Sequence, residues 1–416
     1  MTIETVEPRT PSGSVRSHRW LGLLPRAGRN SAWGAGAAVS GAVALTLFGY
    51  PSISGHEPPS TEASEPNPNQ ASTARLSRPA EYRVDFRVAV TPPAGTEVLK
   101  VWLPLPQDDR VQRVRDRRLE TFPRVVEPQI ATEPKFGNRF AYFEFRSPEG
   151  AQLISHRFTA TVRQADWSVD FANVRAPAAW PDSFAAYRRH DPRAEASEEL
   201  REVSRWIRES AGDGSASQRL LSSMRWVDQN LTYDHVAASL QADPTHALVH
   251  GRGHCSDYHG LCSTLAREAG FPSRVVYGLQ MFEKASPSHC KLELFLPPHG
   301  WVAFDLSETQ KLIGKVSERL AGDESAKAAA VAAITERSQR GFRENSWLAV
   351  TRGTHYDLAP PAESGPVNVV RTIFAEADGV ALPEPDPANP EQRTFAWMTM
   401  HRVESDGHSR PFSVTE

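Results

Sequence analysis

The chain has 416 residues, of which 39% are hydrophobic, so it can form two or three domains with apolar cores. Its formal net charge of −3 excludes a general electrostatic attraction to nucleic acid or anionic lipid. The only cysteines are Cys255, Cys262 and Cys290, which are too few and too clustered for a disulfide framework.

Residues 1–50 join a basic leader to an apolar segment. Five arginines precede residues 33–50, which carry no charge, and the next basic residue is Arg75. This asymmetry predicts an export topology, with the rest of the chain in the cell envelope outside the inner membrane. The segment fits either an uncleaved membrane anchor, which the long leader slightly favours, or the core of a signal peptide removed after export.

The next two regions differ sharply in composition. Residues 51–78 are rich in Pro, Ser, Glu and Asn, which predicts a disordered linker. Residues 79–190 predict a β-sandwich-like domain, because polar and apolar residues alternate along 82–90 and 157–163 and further apolar runs are bounded by turn residues. We expect this domain to support the rest of the protein or to present substrate.

From about residue 195 the apolar residues recur with helical spacing. One stripe runs through 200–207 and a second through 220–231, and both helices should pack behind a third. Asp243 followed by Pro244 predicts the start of a short helix that ends near Gly251.

Cys255 lies where a glycine-rich turn meets the third helix, in the segment GRGHCSDYHG. A helix start has free N–H groups and partial positive charge, which favour a thiolate and can bind an oxyanion. His289 lies in one alternating run, SHCKLELFL, and Asp305 lies in a second, GWVAFDLS. The residues PPHG between the runs predict a hairpin, which would bring imidazole and carboxylate side by side.

This layout resembles the transglutaminase-like superfamily of papain-related thiol enzymes. Three blocks carry the resemblance: GHCSD at 253–257, His289 with Glu293, and GWV at 300–302 leading to Asp305. A WLPLP run at 102–106 is similar to the leading β-domain of many bacterial members. Lys291 departs from the pattern, because bacterial relatives usually have an aromatic residue two positions after the histidine.

The resemblance implies an α+β fold in which residues 195–315 form a papain-like core of helices packed on an antiparallel sheet. Residues 316–416 are then expected to be a C-terminal extension that packs on this core. It also implies that Cys255 attacks a carbonyl, His289 exchanges protons and Asp305 orients the imidazole. The N–H of Cys255 is the expected oxyanion donor, and the sequence does not identify a second one. Trp226 and Tyr233 could reach the cleft, although a place in the core is favoured for each.

The implied activity is that of a cysteine peptidase or amidase acting on a peptide or protein of the cell envelope. A cross-linking transglutaminase and a non-catalytic binding module tethered at the membrane stay open as alternatives. The sequence predicts no cofactor, no metal and no nucleic-acid partner, because it contains no phosphate-binding glycine motif, no acidic metal loop and no Cys-x-x-Cys pair. Zinc held by histidines and cysteines near Cys255 is the weaker alternative.

Overall fold

The computed structural model describes residues 66–195, 197–212, 214–283, 287–385 and 396–405. The predicted anchor or signal segment at 33–50 and the first part of the predicted linker lie outside these residues. Among the residues that are described, no helix is long and apolar enough to cross a bilayer.

The strands and helices alternate in blocks along the chain. The strands are β1 (Arg75–Val90), β2 (Val98–Leu105), β3 (Gln112–Phe122), β4 (Gln129–Thr132), β5 (Arg139–Arg146), β6 (Gln152–Asp166), β7 (Thr232–Tyr233), β8 (Arg252–Gly253), β9 (Ser273–Gln280), β10 (Ser288–Leu296), β11 (Gly300–Phe304), β12 (Phe342–Arg343), β13 (Trp347–Arg352), β14 (Phe374–Ala377), β15 (Val380–Ala381) and β16 (Trp397–Ser405). The helices are α1 (Ala185–Arg188), α2 (Pro192–Glu195), α3 (Glu198–Ser210), α4 (Ala216–Asn230), α5 (Pro244–His250), α6 (Cys255–Glu268), α7 (Leu306–Arg319) and α8 (Glu324–Gln339), with a 3₁₀ turn at Asp182–Phe184.

Two antiparallel sheets form a β-sandwich. One sheet has the order β12-β6-β1-β16, with β3 also paired to β6, and the other has the order β15-β14-β2-β5-β4. Alternate residues of β1, such as Tyr82, Val84 and Phe86, point into the apolar layer between the sheets, where they meet Val101 and Phe143. The alternation read from the sequence is therefore the alternation between core and solvent.

A third, smaller antiparallel sheet has the order β11-β10-β9-β13 and carries helix α6 on one face. Leu292 and Leu294 of β10 share an apolar cluster with Leu261 and Leu265 of α6. The predicted hairpin is present, because β10 pairs with β11 from Leu292 to Leu296. The predicted α+β fold, with helices packed on an antiparallel sheet, is confirmed.

Helices α3, α4, α5, α7 and α8 begin at side chains that accept hydrogen bonds from their first turns. Asp243 accepts from Thr245 N at 2.9 Å and caps α5, which ends at Gly251 with a left-handed φ of 60°. Both ends of this helix agree with the prediction. Ser197 and Ser215 cap α3 and α4 in the same way.

The folded unit starts earlier than the predicted linker boundary at residue 78. Strand β1 already begins at Arg75. The residues before it form hydrogen bonds with the small sheet, at β11 and at the turn that precedes β11. Trp301 Nε1 donates to the carbonyl of Pro68 at 2.9 Å, and Thr73 N donates to the carbonyl of His299 at 3.2 Å. The linker prediction was wrong from residue 66 onward, because a polar segment can be held through its backbone, which composition does not reveal.

The region after residue 316 was expected to pack on the predicted core at 195–315. It also contributes strands to the β-sandwich. Strand β13 pairs with β9 in the small sheet, whereas β14 and β15 join the sandwich beside β2. Strand β16 pairs with β1 from Tyr82 to Val90. The last segments of the chain thus complete both sandwich sheets, and the sandwich is not confined to residues 79–190.

Candidate active site

Cys255 is the first residue of α6, and the turn before it is fixed by Asp257. The Asp257 carboxylate accepts from His254 N at 2.9 Å and from Ser239 N at 3.3 Å. A Cβ at Gly253 would lie 2.6 Å from Asp257 Cβ, so this approach requires glycine. Asp257 therefore caps the helix and holds the turn, which leaves the N–H of Cys255 in the first turn, without an intrahelical acceptor.

The Cys255 thiol is buried among groups that favour its anion. Its Sγ lies 3.1 Å from His254 Nδ1, and it packs against Cys290. Burial by itself raises the pKa of Cys255, but a hydrogen bond from the Cys290 thiol and the charges of the His254 and His289 imidazoles outweigh it. The net effect holds the pKa of Cys255 well below its usual value.

His289 lies near the start of β10 and joins the thiol to a carboxylate. Its Nε2 donates to Asp305 Oδ2 at 2.6 Å, and its backbone carbonyl accepts from Trp347 Nε1 at 3.1 Å. Burial lowers the pKa of His289, but the negative charges of Asp305 and Cys255 outweigh it and raise that pKa to about 9. The resting state that follows is a thiolate beside an imidazolium.

Asp305 lies one residue past β11 and is the N-cap of α7, not part of a strand as expected. Its Oδ1 accepts from Ser307 Oγ at 3.1 Å and from Glu308 N at 3.0 Å, which fixes the carboxylate plane. Burial raises the pKa of Asp305, but Lys291 and His289 outweigh it and hold that pKa well below its usual value. A permanently ionised carboxylate can hold one imidazole tautomer and stabilise its cation.

The fold agrees with comparisons to known proteins. Residues 201–306, which contain Cys255, His289 and Asp305, match the family model described as the transglutaminase-like superfamily. Residues 201–306 are therefore a transglutaminase-like domain. The structure brings the three predicted residues of this domain together, while their catalytic role stays a prediction.

Two known proteins indicate how far the likeness extends beyond this domain. The solved structure of a proposed cysteine protease from Cytophaga hutchinsonii aligns with 82% of this chain and 97% of its own, at a TM-score of 0.51 and 11% identity, which shows a shared fold alone. An uncharacterized protein of Haemophilus influenzae is 26% identical over 187 residues, which are 39% of this chain. The chain spans about half the length of that curated relative, 49%.

Lys291 lies under the predicted triad and is fully buried. Its Nζ donates to Asp305 Oδ2 at 2.7 Å and lies 2.9 Å from Glu344 Oε1. Burial lowers the pKa of Lys291, but the charges of Asp305 and Glu344 outweigh it and raise that pKa. Sequence reasoning noted Lys291 as unusual but missed Glu344, which lies more than 50 residues along the chain with no local motif around it.

The remaining candidates divide into those near the triad and those away from it. His259 Nε2 lies 3.6 Å from Asp305 Oδ1, and burial lowers the pKa of His259 to about 4, so this imidazole is neutral. The Tyr233 ring centroid lies 5.8 Å from that of His254, whereas Trp226 packs against the helical core. Glu293 does not reach the triad, because it is paired with Arg274.

The zinc alternative predicted a cluster of donors around Cys255. Within the residues that the structure describes, no three His, Cys, Asp or Glu side chains are grouped so that they could hold a metal ion. The imidazoles and thiols of this region instead bond to each other and to Asp305.

Proposed function

We propose that this protein is a thiol acyl-transfer enzyme that hydrolyses peptide or amide bonds through a thioester on Cys255. The observation that carries the proposal is the buried series of contacts from Cys255 through His289 to Asp305, with 2.6 Å between His289 Nε2 and Asp305 Oδ2. The match of residues 201–306 to the transglutaminase-like superfamily supports the same class of chemistry.

In the proposed reaction the Cys255 thiolate attacks the carbonyl carbon, and the backbone N–H of Cys255 stabilises the oxyanion. A single such donor contributes about 3 kcal/mol to barrier lowering in other enzymes. The C–N bond then breaks, and the His289 imidazolium gives its proton to the leaving amine. Water attacks the resulting thioester while His289 takes one of its protons, which releases a carboxylic acid and restores the thiolate and imidazolium.

The full chain should be incubated with a peptide library, with and without a small primary amine, and the products weighed by mass spectrometry. We expect cleavage or deamidation that is lost in Cys255→Ala. Incorporation of the amine in preference to water would identify a cross-linking enzyme instead. Equal product profiles for the wild type and Cys255→Ala would overturn the proposal.

We further propose that the catalytic unit lies outside the cytoplasmic membrane and acts on peptides or proteins of the cell envelope. The basic leader before residues 33–50 supports this orientation, whether the segment anchors the protein or is cleaved. Protease added to spheroplasts should digest the catalytic unit, or the unit should already be in the periplasmic fraction. Protection of the unit together with a cytoplasmic marker would contradict this location.

A further inference from the structure

A lysine and a glutamate lie behind the predicted triad and take no part in the mechanism above. Lys291 and His289 both donate to the same oxygen, Asp305 Oδ2, at 2.7 and 2.6 Å. On its other side Lys291 lies 2.9 Å from Glu344, and both side chains are almost completely buried. The ammonium thus lies between two carboxylates, one of which supports the imidazolium.

The glutamate reaches this position because the sandwich holds the segment between β12 and β13. Tyr82 Oη donates to the carbonyl of Asn345 at 2.9 Å, and Asn345 Nδ2 donates to the carbonyl of Arg78 at 2.7 Å. The neighbouring Arg343 donates to Gln112. Contacts with strands β1 and β3 of the sandwich therefore place Glu344 next to the small sheet.

We propose that Lys291, held by Glu344, is a positioning residue that sets the proton affinity of His289 through their shared carboxylate oxygen. This inference rests on the proposed function, because the proton affinity of His289 matters only if it exchanges protons with Cys255 and substrate. In the Lys291–Glu344 pair the ammonium is the group that faces Asp305. It therefore offsets part of the attraction between the Asp305 carboxylate and the His289 imidazolium. An imidazolium held less tightly releases its proton more readily to the leaving amine.

The opposite signs of the two charges allow the inference to be tested. Removal of the Lys291 ammonium takes away a positive charge beside the imidazolium. It also leaves Asp305 Oδ2 to accept from His289 without competition from Lys291, so His289 should hold its proton more tightly. Removal of the Glu344 charge leaves the ammonium facing Asp305 without its second carboxylate, so His289 should hold its proton less tightly. A charge at this range shifts a pKa by about one unit or more.

Other groups around His289 do not supply the same effect. Burial raises the pKa of Cys290, which remains a neutral thiol, and lowers that of His259 to about 4. Glu308 is a carboxylate that pairs with Lys311 at 2.6 Å and also faces His289, and both residues are kept in every variant of the test below. The titratable and charged groups that face His289 and Cys255 come from several elements. The helices and their caps contribute His254, Cys255, His259, Asp305 and Glu308. The strands and the segments beside them contribute Tyr233, Tyr277, Cys290, Lys291, Glu344 and Arg371, of which Arg371 pairs with Glu384.

The test measures the rate of Cys255 alkylation by iodoacetamide across pH in the full chain, with adducts located by mass spectrometry. In the wild type the alkaline inflection should lie near pH 9, where His289 loses its proton. We expect K291M to raise this inflection by about one unit and E344Q to lower it. The double variant K291M/E344Q should lie between the wild type and K291M.

The double variant keeps the test valid if K291M does not fold, since it leaves no buried charge unpaired. The matched controls are R274M and E293Q, which break a buried ion pair on the same sheet that does not touch the triad, and they should leave the inflection unchanged.

A double variant with the wild-type inflection, or E344Q shifted upward, would overturn the role of Lys291 and leave the proposed function intact. A wild-type chain with no fast-reacting Cys255 at neutral pH would overturn both.

Discussion

The three cysteines carry the same thiol in different surroundings. Cys255 lies beside two imidazoles at a helix start, whereas Cys262 lies in the apolar core of α6, where burial raises its pKa. Cys290 has its pKa raised by burial and by the neighbouring Cys255 anion. Because the thiolate is the nucleophile, the three should differ in reactivity by much more than their exposure suggests.

We therefore predict that brief treatment of the folded protein with iodoacetamide labels Cys255 first. Mapping of adducts by mass spectrometry checks this, and His289→Ala serves as the control because it removes the imidazolium that favours the thiolate. Faster labelling of Cys262 than of Cys255 would show that the described surroundings do not control reactivity.

Asp305→Asn should lower turnover by up to about 10⁴-fold, by analogy with the aspartate of serine proteases, while binding of substrate changes little. The amide keeps the shape of the side chain but loses the charge that raises the pKa of His289. The alkaline inflection of Cys255 alkylation should accordingly fall below pH 9. Circular dichroism must show a native fold, and unchanged turnover in a folded variant would assign the orienting role to another residue.

Single residues also mark what could be read from the sequence and what could not. Cys255, His289 and Asp305 could be chosen because each lies in a recognisable local block. The burial of Lys291 could not, since its stabilising partner Glu344 comes from a distant segment and charged residues are rarely buried without one. Cys290 follows His289 in the same strand, and nothing in the sequence showed that its thiol meets Cys255.

At the scale of elements, the start of α6 depends on a close approach between the helix and the preceding loop. A Cβ at Gly260 would lie 2.3 Å from the carbonyl oxygen of Ala242, so no larger residue fits there without a shift of the backbone. The same loop is bonded through Ser239 to Asp257, which fixes the turn at Cys255.

We predict that Gly260→Ala lowers the free energy of unfolding by about 1–3 kcal/mol, the usual cost of overpacking. Gly314→Ala is the matched control, because Gly314 lies inside α7 with nothing within 4 Å of the added Cβ. That change should raise the free energy of unfolding by about 0.5–1 kcal/mol. Urea titration of both variants decides, and shifts in the same direction would contradict the steric argument.

Elements with strong local signals were predicted closely. Strand β2 spans the predicted apolar run, and α5 begins and ends at the predicted cap and glycine. The position of Asp305 shows the limit of such signals, since its side chain caps α7 although the preceding residues alternate like a strand. The residue type alone does not show whether an aspartate ends a strand or caps a helix, and only the helix that follows distinguishes the two.

At the scale of the whole molecule, the first and last strands that the structure describes meet in one sheet. Strand β1 pairs with β16 more than 300 residues later, and β2 pairs with β14. Local periodicity predicts that such strands exist but carries no information on which distant strand each one pairs with. The sequence suggested a papain-like core at 195–315, and in the structure strands from later segments pair with the strands of this core.

A fragment limited to residues 195–315 should consequently fail to form a stable domain. It lacks β13, which pairs with β9, and Trp347, whose indole holds the carbonyl of His289. It also lacks Glu344, and a buried ion pair that loses one partner costs about 3–5 kcal/mol, a large part of a typical domain stability of about 5–15 kcal/mol.

Thermal unfolding followed by circular dichroism should show a cooperative transition for residues 66–405 and none for 195–315. The longer fragment is the matched control, because it retains both the sandwich and the segment that carries Glu344. A cooperative transition in the short fragment, together with fast alkylation of Cys255, would mean that the triad is assembled by the small sheet and its helices without the later strands.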